Sequence, residues 1–106
     1  PACIISAANY VETGQVLAQR HPRSPSRGVD RLHGFMDTAR IEIAPIDEAQ
    51  ARLALVARIR YGRGFGHRAK LNYSDCFAYA LAKTRDLPLL FIGDDFTQTY
   101  IVSALA

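Results

Sequence analysis

Apolar residues along this chain alternate between short runs and helical spacing. Ile4-Ile5-Ser6 reads as a short extended segment entering a helix, with Ser6 as its N-cap. From Ala7 to about Arg20, Tyr10, Val11, Val16, Leu17 and Ala18 supply a helical apolar face. His21 to Gly28 holds two prolines, two serines and a glycine, the composition of a loop. Asp30 is then expected to cap a second helix reaching about Ala39, with Leu32, Phe35 and Met36 turned inward. Ile41-Glu42-Ile43-Ala44 alternates as a strand does. Asp47-Glu48-Ala49-Gln50 has the form of a capping box, and its helix is predicted to run to about Tyr61. Ala51, Leu53, Leu55, Val56 and Ile59 are its candidates for burial. After a glycine-rich turn over Gly62 to His67, Asn72 is placed to cap a helix from Tyr73 to about Arg85. Leu89-Leu90-Phe91-Ile92 is a continuous apolar run, as in a strand covered on both faces. Thr97 to Ala106 is apolar and short, and its pattern assigns no element.

Helices alternating with short apolar strands predict an α/β fold, a three-layer α/β/α sandwich around a mainly parallel sheet. In such sheets ligands collect at the carboxyl ends of the strands, where Asp94 and Asp95 would fall. At 106 residues the chain has the length of one domain, spanning 1–106. Its 49% hydrophobic and 22% charged content is that of a globular protein and argues against disorder. The net charge of +3 permits nucleic-acid binding without requiring it. Cys3 and Cys76 form no CxxC pair and no disulfide framework, so reduced thiols in a cytoplasmic protein are expected. No apolar run approaches the roughly 20 residues of a membrane span.

The candidate chemistry lies in the acids. Glu12 is on the first helix, Asp75 in the first turn of a later one, and Asp94 and Asp95 follow the last strand. Clustered carboxylates repel unless a divalent cation, a shared proton or basic neighbours compensate them. A metal-dependent phosphodiesterase uses such a cluster to hold Mg²⁺ or Mn²⁺. Each acid also has a plainer reading. Asp75, three residues after Asn72, fits a helix cap, and a cap and a site can coexist. Glu12 fits a solvated helix face, and Asp94-Asp95 a polar turn. Arg58, Arg60, Arg63, His67, Arg68 and Lys70 precede Asp75 and suit either a phosphate backbone or a solvated basic face. His33 and His67 lack a second histidine at ligand spacing, and Cys76 reads as a small core residue. The glycine-rich turn is not a P-loop, because no Gly-Lys-Ser/Thr follows it.

Together these residues resemble the VapC-type PIN-domain ribonucleases, the toxins of type II toxin–antitoxin pairs. The resemblance runs from about Ile5 to Ile101 and is carried by ISAANYVETG, YGRGFGHRAKLNYSDCFAYALAK and PLLFIGDDF. It implies a PIN-type sandwich and Mg²⁺- or Mn²⁺-dependent cleavage of RNA at an acidic pocket. The metal-holding acids it implies are Glu12 in YVETG, Asp75 in NYSDCF, and Asp94 or Asp95 in GDDF, with Asp95 favoured. Arg63, Arg68 and Lys70 become candidate RNA contacts. A VapB-type antitoxin and a homodimer are the implied partners.

Two departures qualify the resemblance. The family opens on a strand ending in an Asp-Thr-Ser-type motif, and nothing in this chain matches it. Residues 1–106 are therefore expected to form a PIN-like domain without its first strand and helix, completed by that segment as a separate peptide, a swapped partner or an upstream stretch. GDDF is often followed by Gln-Thr-Asp-Ile, where this chain has Gln98-Thr99-Tyr100-Ile101. The alternative implied by the first departure is an inactive PIN remnant that only binds RNA, antitoxin or a second copy.

Overall fold

A computed structural model describes residues 3–61 and 72–85. Within them lie two strands and four helices: β1 (Cys3–Ser6), α1 (Ala7–Gln19), α2 (Pro25–Ala39), β2 (Ile41–Ala44), α3 (Glu48–Tyr61) and α4 (Tyr73–Arg85). β1 and β2 pair in parallel, with Cys3 opposite Ile41 and Ser6 opposite Ala44. Parallel neighbours need a long crossover, and α1 and α2 provide it. The expected α/β class therefore holds. The predicted turn over Gly62–His67, the strand over Leu89–Ile92 and the untyped segment from Thr97 lie outside the described residues.

Two apolar clusters hold the described fold. In the first, Ile5 from β1 meets Leu17 of α1 and Leu32 and Met36 of α2, with Tyr10, Val16, Phe35 and Ile41 packed around them. Leu32 and Met36 are buried, as their spacing predicts, whereas Val11 is exposed, on the far side of α1. In the second, Ala54 and Ala57 of α3 meet Cys76 and Ala80 of α4, flanked by Leu53, Phe77 and Tyr79.

Two expectations are corrected. Residues 25–28 are not loop: α2 begins at Pro25 and Asp30 lies inside it, exposed, rather than capping it. Proline tolerates the first helical turn because its missing N–H has no helical partner there. Gly28 is in the helix for a steric reason. A Cβ on it would sit 2.2 Å from the Leu17 carbonyl oxygen and 2.8 Å from the Ala18 nitrogen. The start of α2 thus crosses the end of α1 backbone against backbone. At the other end of α2, Arg40 adopts left-handed geometry (φ 56°, ψ 49°). Its amide donates to Met36 and Asp37 carbonyls, and the chain turns directly into β2.

The second correction concerns α3. Its buried stripe is Gln50, Ala54 and Ala57, with Leu53 half-buried, while Ala51, Leu55, Val56 and Ile59 are exposed in the described structure. Small side chains let α3 and α4 approach closely, so the seam selects alanines. The bulkier residues take the other face. The N-terminus follows expectation: the Asp47 carboxylate accepts from the Gln50 amide at 2.8 Å.

These contacts predict opposite outcomes for two helical glycines. Gly28→Ala must push α1 and α2 apart and should cost about 1–3 kcal/mol. Gly34 has nothing within 4 Å of an added Cβ, so Gly34→Ala should add about 0.4–1 kcal/mol. Thermal unfolding followed by circular dichroism reads both, and equal shifts would refute the backbone crossing.

Candidate functional site

The site is assembled where β1 feeds α1 without a loop. Ser6 ends the strand with extended geometry (φ −64°, ψ 145°) and caps the helix, its hydroxyl accepting from the Ala8 amide at 3.4 Å. This fixes the first turns of α1 to the carboxyl end of the sheet. Asn9 and Glu12 follow three residues apart, so they share one face. Asn9 is buried and Glu12 half-buried.

α4 meets that face with its own N-terminus. Asn72 and Asp75 cap it reciprocally. Asn72 Oδ1 accepts from the Asp75 amide at 2.8 Å, and Asp75 Oδ2 accepts from the Asn72 amide at 3.2 Å. Asp75 is only 2% exposed, and its charge lies at the positive end of the helix. Between these residues stands Ser74, also buried. Asn9 Nδ2 donates to the Ser74 carbonyl at 3.1 Å, and the Ser74 hydroxyl donates to Glu12 Oε1. Two contacts from one face of α1 thus grip the first turn of α4.

Of the predicted acids, the structure therefore brings Glu12 and Asp75 to one helix junction, linked through Ser74. Asp94, Asp95, Arg63, Arg68 and Lys70 lie outside the described residues, as does His67. Among the described residues no three His, Cys, Asp or Glu side chains converge. Ser74 and Asn9 were not singled out from the sequence. The available signals were an amide residue three positions before Glu12 and a hydroxyl residue beside the capping acid.

The oxygens at this junction suit a hard divalent cation. Besides the two carboxylates, Asn9 Oδ1 is buried without a hydrogen-bond partner, as is Thr13 Oγ1 one turn further along α1. Leaving a buried acceptor unmet costs about 1–3 kcal/mol, so an orphaned amide oxygen on the residue that bonds Ser74 fits a cation-binding junction. Among the described residues, His33 and Cys76 are otherwise engaged. His33 is engaged by the Tyr10 hydroxyl at 2.5 Å, with the rings stacked 5.8 Å apart. Cys76 is 1% exposed and donates to the Asn72 carbonyl at 3.4 Å. Burial pushes its thiol above the ordinary range, against the lowering effect of Arg58 and with a smaller push from Asp75. A buried thiol disfavoured as thiolate lacks the setting that activates a nucleophilic cysteine.

Comparison with known proteins agrees with this architecture. The model of the PIN domain family matches residues 1–102. Ribonuclease VapC42 of Mycobacterium tuberculosis is 46% identical over 101 residues, covering 95% of this chain and 75% of that protein. Ribonuclease VapC28 of the same organism is 45% identical over 101 residues, with 95% and 74% covered. A Ribonuclease VapC of Mycolicibacterium smegmatis is 40% identical over 103 residues, with 97% and 77% covered. The chain belongs to the PIN-domain family. No helix among the described residues is long and apolar enough to cross a membrane.

Two measurements check the local chemistry. Asn72→Ala removes the acceptor for the Asp75 amide and should cost about 0.5–2 kcal/mol in thermal or urea unfolding. Of the two thiols, exposed Cys3 should react promptly with a chromogenic disulfide, whereas Cys76 should react only on unfolding. Prompt reaction of both would contradict the closed α3–α4 seam.

Proposed function

We propose that this chain is a metal-dependent endoribonuclease, the toxin of a VapC-type toxin–antitoxin pair. The observation that carries the reading is the α1–α4 junction, which sets the Glu12 carboxylate beside the turn holding buried Asp75. The ribonucleases to which the chain is 40–46% identical support it. Glu12 and Asp75, together with Asp95 or Asp94, would hold Mg²⁺ or Mn²⁺. When bound, such an ion supplies a positive charge that activates water and stabilises charge developing on phosphate.

The protein's own part is chiefly electrostatic. The two carboxylates create the negative site that attracts the cation, and Asp75 is kept in place by its reciprocal cap with Asn72. Arg63, Arg68 and Lys70 would neutralise the RNA backbone on the approach to that site. Target choice would rest on RNA shape and unstacked bases. A VapB-type antitoxin, a homodimeric state and a cytoplasmic location complete the proposal.

Asp75→Asn tests it. The substitution retains an acceptor for the Asn72 amide but removes the charge, so the fold should survive. RNA cleavage in Mg²⁺ should fall by more than the ~10–100-fold typical of residues that merely support a ligand, and EDTA should abolish it in the unmodified chain. Activity unchanged in Asp75→Asn would overturn the assignment of Asp75. RNA binding that is salt-sensitive, indifferent to EDTA and unaccompanied by cleavage would identify a binding-only PIN domain instead.

A further inference from the structure

Ser74 is fixed in space before its side chain is considered. Asn9 Nδ2 holds its carbonyl at 3.1 Å, and Asn9 lies one turn before Glu12 on the same helix. From that anchored position the Ser74 hydroxyl faces two oxygens, Glu12 Oε1 and, at 3.1 Å, Asn72 Oδ1. Both are acceptors, and a hydroxyl has a single proton to donate. A hydrogen bond to a carboxylate is roughly twice as strong as one to a neutral acceptor, so the proton belongs to Glu12. Asn72 Oδ1 retains its bond from the Asp75 amide at 2.8 Å. The donation occupies one lone pair of a carboxylate that offers about four, so it orients Glu12 without consuming its capacity for a cation.

We infer that Ser74 is a positioning residue that holds the Glu12 carboxylate in the orientation in which, with Asp75, it takes a divalent cation. The inference rests on the metal-dependent reading above. It assigns to Ser74 the part that outer hydrogen-bond donors play around metal ligands: fixing the rotamer of the group that binds. Ser74 is suited to this because one residue carries both the backbone grip from Asn9 and the hydroxyl to Glu12. The spacing of α1 and α4 and the direction of the carboxylate are therefore set together.

The test is calorimetric titration of the full chain with Mn²⁺ alone, comparing the unmodified protein with Ser74→Ala, Ser74→Cys, Ser74→Thr and Asp75→Asn, with melting temperatures taken in EDTA. Ser74→Ala should weaken Mn²⁺ binding by about 10-fold or more, the range seen when outer partners of metal ligands are removed. Ser74→Cys, close in volume and a weak donor, should show the same loss if alanine perturbs folding. Ser74→Thr keeps the hydroxyl and should bind nearly as the unmodified chain does. If Ser74→Ala and Ser74→Cys bind Mn²⁺ normally while Asp75→Asn does not, Ser74 is only a buried helix residue and the metal site stands without it. If Ser74→Thr is as weak as Ser74→Ala, packing rather than the hydroxyl is at work and the inference fails. If Asp75→Asn also binds normally, the metal reading itself falls.

Discussion

The two-point grip of α1 on the first turn of α4 is the constraint on which the rest of the site depends. Apolar packing builds two separate clusters: Ile5, Leu17, Leu32 and Met36 around the sheet, and Ala54, Ala57, Cys76 and Ala80 between α3 and α4. Hydrophobic contact is non-directional, so it can press one unit against the other without choosing a rotation or a register. The bonds from Asn9 and to Glu12 make that choice. They join residues 65 and 62 positions apart in the chain, so the junction exists only in the folded protein. A slip of α4 along α1 would leave the buried Asn9 amide and Ser74 groups unpaired, at about 1–3 kcal/mol for each unmet buried group. The same bonds that register the two units therefore also set Glu12 relative to Asp75.

Small residues make that arrangement possible elsewhere in the fold. Gly28 lets the α2 backbone lie directly on the Leu17 carbonyl, which holds the C-terminal end of α1 against the start of α2. Alanines along α3 and α4 do the equivalent for the second unit. With both helix pairs closely packed, little freedom remains at the α1–α4 junction. The two hydrogen bonds then suffice to determine it.

Much of this was legible in the residues. Ser6, Asp47 and Asn72 announced three of the helix starts through their capping chemistry, and Ile41–Ala44 announced β2 through its alternation. What failed, failed for identifiable reasons. Pro25 and Gly28 read as loop because each is unfavourable in a helix interior. One is tolerated at the first helical position, and the other is required by a crossing that only the tertiary structure reveals. On α3 the large apolar residues Leu55, Val56 and Ile59 drew attention away from Ala54 and Ala57, since hydrophobicity ranks residues by size whereas a close helix seam selects against it. For the site, Glu12 and Asp75 were picked out by residue type and resemblance, and the structure brings their two helices together through Ser74. Ser74 and Asn9 stayed invisible because serine and asparagine near a helix start have an ordinary explanation as caps, and their actual partners are more than 60 residues distant.

Asp75 shows why the plain and the functional readings of one residue need not compete. Its carboxylate accepts from the Asn72 amide and sits at the N-terminus of α4, where the helix dipole stabilises negative charge by about 0.3–1 kcal/mol at an exposed site and more when partly buried. That stabilisation offsets part of what burying the carboxylate costs, so the acid can stay in a 2% exposed position. A charge held ready in a buried place is also what a cation site requires, because the ligands must be ionised and oriented before the ion arrives. The cap therefore orients Asp75, and that orientation would also serve the cation site proposed for it. Ser74, the residue before it, donates its hydroxyl to Glu12 on the neighbouring helix. The Glu12 carboxylate is thus tied to the turn that carries Asp75 by a side-chain hydroxyl, while the Asp75 carboxylate meets an amide at the start of its own helix.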